Sequence, residues 1–237
     1  MLNTILFDLD GTLLPIDSSA FEKIYFGGLS RHFTDMYPPE TFIKLIWDAT
    51  KVMVTDLSER TNEVVFMDAL GQVVHDQLSE MQRRFADFYQ SDFDQLKTVV
   101  SESVEMKEAV AILKHKGYQL VIATNPLFPK IAIEKRINWT GLNRSDFSYI
   151  TSFEDNHYCK PHLKFYEEIL ADIHKQANEC LMVGNDVQED MAAKSVGIET
   201  YLLNTHLINR KETISGADYE GNYVDFIQFV QNLPSLI

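Results

Sequence analysis

The sequence predicts an α/β fold, a Rossmann-like doubly wound parallel sheet joined to a second, all-helical cap domain. Three observations predict it. The chain opens with a predicted strand at residues 2–8, in which Ile5, Leu6 and Phe7 form the short apolar run of a buried strand. After about residue 104, apolar β-rich runs alternate with amphipathic stretches, which is the pattern of βαβ units. Between these parts, residues 16–100 have helical periodicity and no convincing strand.

The helical block at 16–100 is predicted to be an insertion into the sheet domain. Its apolar residues recur at helical spacing, namely Phe42, Leu45, Ile46, Ala49, Val52 and Met53, and then Leu78, Met81, Phe85 and Phe88. We expect the first strand to join the sheet that the later strands form. The predicted domains are therefore an α/β core at 1–15 and 104–237 and a helical cap at 16–103.

The core elements after the insertion follow in a regular order. A helix is predicted over 104–116, where Gly117 ends it. Pro126 is expected to open the next helix, because proline is favourable at the first helical position. The predicted strands are 118–124, 147–151, 180–184 and 198–203, and the remaining helices are about 127–138, 162–175, 187–195 and 223–233.

Charge and composition exclude some classes of partner. The formal net charge is −14, which argues against nucleic acid and against an anionic membrane surface. The two cysteines, Cys159 and Cys180, form no CxxC pair and suggest neither a zinc site nor a disulfide framework. There is no signal-peptide pattern and no run of eighteen apolar residues, so we expect a soluble, cytoplasmic protein.

Polar residues follow the predicted strands at the points where the strands end. In an open parallel sheet, ligands bind at this carboxyl edge. The residues are Asp8 and Asp10 after the first strand, Thr124 and Asn125 after the second, Lys160 after the third, and Asn185, Asp186 and Asp190 after the fourth. Each alone has an ordinary reading as a turn residue, a helix cap or a solvated lysine. Their shared location favours one common cleft.

Chemistry gives this set a joint role. Carboxylates in one cleft repel each other unless a divalent cation lies between them, and oxygen ligands favour Mg²⁺. Asp8 and Asp10 lie on the same side of a strand, since side chains alternate. One carboxylate can attack phosphorus and form an aspartyl-phosphate, while the other protonates the leaving oxygen and later deprotonates water. The Thr124 hydroxyl and backbone N–H groups can hold phosphoryl oxygens.

With these residues identified, the chain resembles the haloacid dehalogenase (HAD) superfamily, in its phosphatase-like branch. The first motif of that family is similar to "DLDGTL" at 8–13, and the second to "ATN" at 123–125. The third resembles "KP" at 160–161 and the fourth "VGNDVQED" at 183–190. The resemblance covers about 1–15 and 104–237, and family members with a helical cap carry it between the first and second motifs.

The resemblance implies a role for each catalytic residue. Asp8 would be the nucleophile and a Mg²⁺ ligand. Asp10 would be the general acid/base and a metal ligand through its backbone carbonyl. Thr124 and Asn125 would bind the phosphoryl group. Lys160 would orient Asp8 and neutralise charge on the phosphoryl group.

The fourth motif implies the rest of the metal site. Asp186 would complete it, and Asp190 would contact the metal directly or through water. The commonest family form has Asp directly after the glycine, where this chain has Asn185. Asn185 is therefore the alternative to Asp186, which we favour because a carboxylate binds Mg²⁺ better than an amide. The family's dehalogenases have no Asp two residues after the nucleophile, so Asp10 points to phosphoryl transfer.

The cap is expected to close over the site and to supply substrate contacts. Asp17 and Ser18 would lie at its mouth. Cap residues that could meet a polar substrate are Arg31, His32, Arg60, Arg83 and Arg84, although a solvated face or an ion pair within the cap is the favoured reading. The aromatic residues Phe21, Tyr25, Phe26 and Phe33 are expected to form cap core. Movement of the cap about joins near 15–18 and 100–104 is a hypothesis.

The leading functional hypothesis is a Mg²⁺-dependent phosphomonoester hydrolase that acts on a small soluble phosphorylated metabolite through an aspartyl-phosphate. Its partner is thus a small-molecule phosphate ester. Three alternatives stay open: a phosphomutase of the same family, a phosphonate hydrolase and a non-catalytic protein that binds a phosphate ligand. The phosphonate hydrolase would need a cap lysine for a Schiff base, and the available lysines are Lys23, Lys44 and Lys51.

Overall fold

Six parallel strands form the centre of the core in the computed structural model, which describes residues 1–237. The strands are β1 (Thr4–Phe7), β2 (Gln119–Ile122), β3 (Tyr149–Ile150), β4 (Cys180–Gly184), β5 (Glu199–Leu203) and β6 (Tyr219–Gly221). Their order is β3-β2-β1-β4-β5-β6, and every neighbouring pair is parallel. The predicted doubly wound parallel sheet is confirmed.

Eight α-helices accompany the sheet. The first four lie in the insertion after β1, as α1 (Ser18–Arg31), α2 (Pro39–Thr55), α3 (Asn62–Val74) and α4 (Leu78–Gln90). The others are α5 (Val104–His115), α6 (Lys130–Trp139), α7 (Leu163–Asp172) and α8 (Tyr223–Asn232). None of the eight combines the length and the apolarity that crossing a membrane requires.

The register of β1 fixes where the site lies. Phe7, the last residue of β1, pairs with Ile122 on one side and with Val183 on the other. The next amide, that of Asp8, donates to the Val183 carbonyl at 2.9 Å. The ends of β1, β2 and β4 therefore lie side by side at one edge of the sheet.

Helices cover both faces of the sheet because strand side chains alternate between them. Leu6 and Met182 pack with Phe165 and Tyr166 of α7 on one face. Ile5 and Phe7 belong to the larger cluster on the other face, which α5, α6 and α8 cover. These buried side chains supply the apolar area that stabilises the core.

We keep the name cap for residues 16–103, whose boundaries remain a proposal. Its two joins to the core bond to each other: the Asp17 amide donates to Val99 at 3.1 Å and the Ser101 amide to Pro15 at 3.0 Å. A second contact docks the start of α3 on the core, where the Asn62 amide donates to the Asn156 carbonyl at 2.8 Å. Any cap movement has to break or rotate these contacts.

Three element predictions were wrong in detail. β6 was not predicted, because it has only three residues and two are exposed, which gives no apolar run. The helix after β2 begins at Lys130, since Pro129 precedes its first residue and Leu127 turns back on Asn125. In place of a helix over 187–195, a 3₁₀ segment spans Asp190–Val196.

Both cysteines are unpaired and buried. Burial raises the pKa of each thiol, Cys159 and Cys180, to about 12. At pH 8 the thiolate fraction is then about 10⁻⁴, and the thiolate is the reactive form. We expect neither thiol of the folded protein to react with an aromatic disulfide reagent, whereas both react in guanidinium chloride. Rapid reaction of one thiol under native conditions would contradict this and would indicate local opening around it.

Candidate active site

Two of the predicted site residues, Asp8 and Asp190, contact a third, the buried Lys160. The Lys160 ammonium lies 2.9 Å from Asp8 Oδ1 and 2.6 Å from Asp190 Oδ1. Its side chain is 1% exposed, so the charge is compensated by these two carboxylates and not by water. Three strand ends distant in sequence thus meet at one point.

Two opposing effects act on the pKa of Lys160. Burial opposes its positive charge, but the carboxylates of Asp190 and Asp8 prevail and raise the Lys160 pKa well above its ordinary value. Burial also raises the pKa of Asp190, against the opposing charge of Lys160. The other oxygen of Asp190 accepts the Asp186 amide at 2.9 Å. Asp190 therefore connects the lysine to the loop after β4.

Thr12 and Asn185 hold the far side of Asp8. The Thr12 hydroxyl lies 3.4 Å from Asp8 Oδ2 and 3.1 Å from Asn185 Oδ1. The amide nitrogen of Asn185 donates to the His206 carbonyl at 2.7 Å. A Cβ at Gly11, whose φ is +81°, would lie 2.4 Å from that nitrogen, so the turn requires glycine. Both ends of the Asn185 amide are engaged within the protein.

Asp186 has a different environment. Its Oδ1 accepts the amides of Gln188 and Glu189, each at 2.9 Å, which shapes the loop. Its Oδ2 lies 2.5 Å from Arg210 Nη1, and the Arg210 side chain is half-exposed. The carboxylate of this pair is nearly buried while its guanidinium partner is half-exposed, so a cation that binds Asp186 would compete with Arg210.

Asn125 bonds to the segments that carry Lys160 and Glu189. Its Oδ1 accepts the Lys160 amide at 3.2 Å, and its Nδ2 donates to Glu189 at 3.2 Å. The neighbouring Thr124 is buried, and its carbonyl accepts the Thr151 hydroxyl at 2.6 Å. These contacts fix the end of β2 next to the lysine.

The donor chemistry of this cleft fits Mg²⁺. No three Asp, Glu, His or Cys side chains are grouped as a cage around one cation. Mg²⁺ commonly uses one or two carboxylates and keeps several waters, so it needs no such cage. The cleft contains carboxylate oxygens of this kind on Asp8 and Asp186.

The sequence pattern did not predict Arg136, which is fully buried in α6. Its Nη1 donates to Asp10 Oδ2. Its Nε donates to the Ala132 carbonyl at 3.3 Å, and its guanidinium carbon lies 4.5 Å from the Phe128 ring centre. Asp10 of the first motif is thus paired with a buried arginine.

One signal could have indicated Arg136. It lies three residues after Ile133 and directly before Ile137, both fully buried, on the face of α6 that packs against the core. A charged residue on an apolar helical face is seldom fully buried without a charged partner.

Asp10 is a carboxyl with reduced solvation. Burial raises its pKa above the ordinary value, the Arg136 charge opposes that rise, and the Asp8 charge adds to it. A carboxyl that keeps its proton to higher pH is suited to general acid catalysis.

The candidate cap residues make contacts inside the cap. Arg84, for example, pairs with Asp35 and Glu80. The other pairs are Arg60 with Asp56 and Asp68, Arg83 with Glu80 and Asp87, His32 with Asp92, and Arg31 with Gln95. Asp17 caps α1 by accepting the Ala20 amide at 3.0 Å, and Ser18 is its first helical residue. The favoured reading of these side chains, as partners within the cap, agrees with the structure.

The cap lysines are exposed, and the aromatic residues expected to form cap core are buried or partly buried. Lys23, Lys44 and Lys51 are all exposed. Phe21 and Phe33 are buried, as cap core should be, while Tyr25 and Phe26 are partly buried. No buried cap lysine exists that could form a Schiff base over the site.

A cavity of about 340 Å³ lies between cap and core. Tyr25, Phe66 and Tyr89 line it from the cap, and Leu127 and Phe153 from the core. Its only charged lining residues are Glu63 and Glu154, and burial raises the pKa of Glu154. The cavity is thus mainly apolar and offers no cation to an anionic group.

Comparison with known proteins identifies relatives over most of the chain. The family model described as haloacid dehalogenase-like hydrolase matches residues 5–203. The pyrophosphatase PpaX of Anoxybacillus flavithermus is 26% identical over 199 residues, which is 84% of this chain and 82% of that protein.

Solved structures share the fold. A predicted phosphoglycolate phosphatase from Haemophilus somnus superposes with a TM-score of 0.62 at 19% identity, covering 97% of this chain and 98% of that one. A HAD phosphatase from Thermococcus onnurineus gives 0.60 at 18% identity, covering 99% and 100%. With the family model matching most of the sequence, the chain belongs to the haloacid dehalogenase-like hydrolase family and is an enzyme.

Proposed function

We propose that this hydrolase cleaves phosphomonoesters of small metabolites, with Mg²⁺, through an aspartyl-phosphate on Asp8. Phosphate-ester hydrolysis is the general activity that the family and the named phosphatase relatives support. The observation that carries the finer proposal is the buried Lys160 ammonium, which contacts both Asp8 and Asp190. A cation held at a strand end beside a carboxylate nucleophile suits an anionic phosphoryl group.

The residues divide the reaction into two steps. In the first, an oxygen of Asp8 forms a bond to phosphorus, the ester P–O bond breaks, and the carboxyl of Asp10 gives its proton to the leaving oxygen. In the second, Asp10 takes a proton from water as the water oxygen bonds to phosphorus, and the Asp8–phosphorus bond breaks to release inorganic phosphate. Thr124 and Asn125 are proposed to hold the phosphoryl group, and Lys160 to neutralise its charge.

Mg²⁺, when bound, would supply further positive charge beside the phosphoryl oxygens. Asp8, Asp186 and the Asp10 carbonyl would hold it. Both side chains bond within the protein, so Asp186 is favoured over Asn185 because a carboxylate binds Mg²⁺ better than an amide. We propose that Asp190 acts next to the metal, since its oxygens contact Lys160 and the Asp186 amide.

The cavity between cap and core favours one class of ester. Its core wall includes Leu127 and Pro129, which follow directly from the loop that carries Thr124 and Asn125. It has room for a small organic group and no basic lining residue. We therefore propose that monoesters with an uncharged organic group are better substrates than esters with a second anionic group. A cytoplasmic location is proposed from the sequence.

Pyrophosphate hydrolysis is the second candidate, because the pyrophosphatase relative matches 84% of this chain. The mutase alternative shares the same core chemistry, but no observation favours it. The phosphonate hydrolase has no buried cap lysine to support it, and a non-catalytic role leaves the converging carboxylates and lysine without a use.

A substrate panel tests the proposal. Phosphate release is measured from an aryl phosphate, an alkyl phosphate, a sugar phosphate, phosphoglycolate and pyrophosphate, with Mg²⁺ and with chelator. We expect metal-dependent release, fastest from the uncharged aryl and alkyl esters. Fastest release from pyrophosphate would favour the second candidate, and an isomerised sugar phosphate without free phosphate would favour the mutase. No release from any compound would contradict hydrolysis.

A further inference from the structure

We propose that Arg136 is a positioning residue for Asp10, holding the acid/base carboxyl in the orientation that serves the leaving group. This inference rests on the proposed function and adds to it a residue that no motif of the sequence contains. The pair joins positions 126 residues apart in the chain.

Arg136 is itself rigidly held. Its side chain is fully buried, and its Nε donates to the Ala132 carbonyl one helical turn earlier. Its planar face stacks on Phe128 at 4.5 Å. A guanidinium restrained on its edge and on its face can fix the rotation of a carboxyl that it contacts.

The contact is unusual in using only one hydrogen bond. An arginine and a carboxylate can form two parallel bonds, and a purely structural pair gains from both. Here Asp10 Oδ1 and Arg136 Nη2 are both buried and have no hydrogen-bond partner. Buried polar atoms seldom remain unpaired, and those that do are frequent at functional sites. The carboxyl is thus held through one oxygen, while the other is buried and makes no bond to the protein.

Phe128 extends this arrangement towards the cap. The Tyr25 ring contacts Phe128 edge to face, with centroids 5.3 Å apart. The Tyr25 hydroxyl is 2.8 Å from that of Tyr89, and both tyrosines line the cavity proposed for the organic group. Arg136 and its stacking partner therefore connect the acid/base with the wall of that cavity.

The test compares two esters that need an acid to different degrees. A 4-nitrophenyl phosphate has a good leaving group, whereas an alkyl phosphate needs its leaving oxygen protonated. We expect Arg136→Met to lower kcat/KM for the alkyl ester by about 10²-fold and for the nitrophenyl ester by less than about 10-fold. Arg136→Lys keeps the positive charge but lacks the planar guanidinium. Its kcat/KM for the alkyl ester should lie between those of Arg136→Met and the wild type. Arg144→Met, at an exposed arginine just after α6, is the matched control and should change neither value.

A double-mutant cycle separates positioning from general structural damage. Asp10→Asn should show the same preference for the good leaving group, and Arg136→Met added to it should cause no further selective loss. Equal losses on both esters, in a variant with unchanged thermal unfolding, would overturn the inference. So would a further selective loss in the Asp10→Asn background. If Arg136→Met does not fold, Arg136→Lys carries the same comparison. If the wild type releases phosphate from neither ester, the proposed function fails as well.

Discussion

Asp8→Asn is expected to abolish phosphate release, with kcat lower by about 10⁴-fold or more. The amide that replaces the carboxylate cannot attack phosphorus, so neither the intermediate nor the second step is possible. The pocket itself should persist, because Lys160 keeps its 2.6 Å contact with Asp190 and Thr12 keeps its bond to Asn185. We therefore expect the variant to unfold at a temperature no lower than that of the wild type.

Acid quenching during turnover tests whether Asp8 carries the covalent phosphate. With radiolabelled substrate, the wild type should retain covalent phosphate that is stable to acid and released by base, as an acyl phosphate is. Asp8→Asn should retain none. Asp48→Asn, which changes an exposed aspartate of the cap, is the matched control and should behave as the wild type does. Near-normal turnover or labelling of Asp8→Asn would show that another group is the nucleophile.

The topology could be predicted because it depends on local patterns. Apolar runs and helical periodicity indicate which segments are strands, and parallel strands place their carboxyl ends at one edge. Asp8, Thr124, Lys160 and Asp190 were therefore expected in one cleft before any contact was known. The structure brings Asp8, Lys160 and Asp190 into contact, and the pairing of β1 with β2 places Thr124 at the same edge of the sheet.

Which side chains contact the carboxylates of the site could not be predicted in the same way. Arg136 and Arg210 reach Asp10 and Asp186 across 126 and 24 residues, and no period in the sequence encodes such a pair. The role of Asn185 depends on a carbonyl from the long loop after β5, which has no regular pattern. Long-range side-chain contacts follow from packing, so local propensity alone does not determine them.

The buried lysine gives the largest expected effect on stability. Lys160→Met keeps the apolar stem but leaves Asp8 and Asp190 side by side without their cation. Breaking a buried charge pair from one side costs about 3–5 kcal/mol. In buffer with chelator at pH 8, we expect the free energy of unfolding to fall by about that amount, as measured by urea denaturation. Lys164→Met is the control and should cost less than about 1 kcal/mol, because this exposed lysine of α7 bonds only to the Leu57 carbonyl and to the face of the Tyr158 ring.

The pH dependence of that loss tests its electrostatic origin. Burial already raises the Asp190 pKa to about 7 in the presence of Lys160, and loss of the cation raises it further. A carboxyl whose pKa is higher folded than unfolded reduces stability above its unfolded pKa, and the reduction fades as pH falls through the folded value. The difference between Lys160→Met and the wild type should therefore be smaller at pH 5 than at pH 8. Asp190→Asn, added to Lys160→Met, should restore part of the lost stability at pH 8, because one of the two uncompensated charges is then absent. A difference that is equal at both pH values, and unchanged by Asp190→Asn, would assign the loss to packing of the lysine stem instead of to charge.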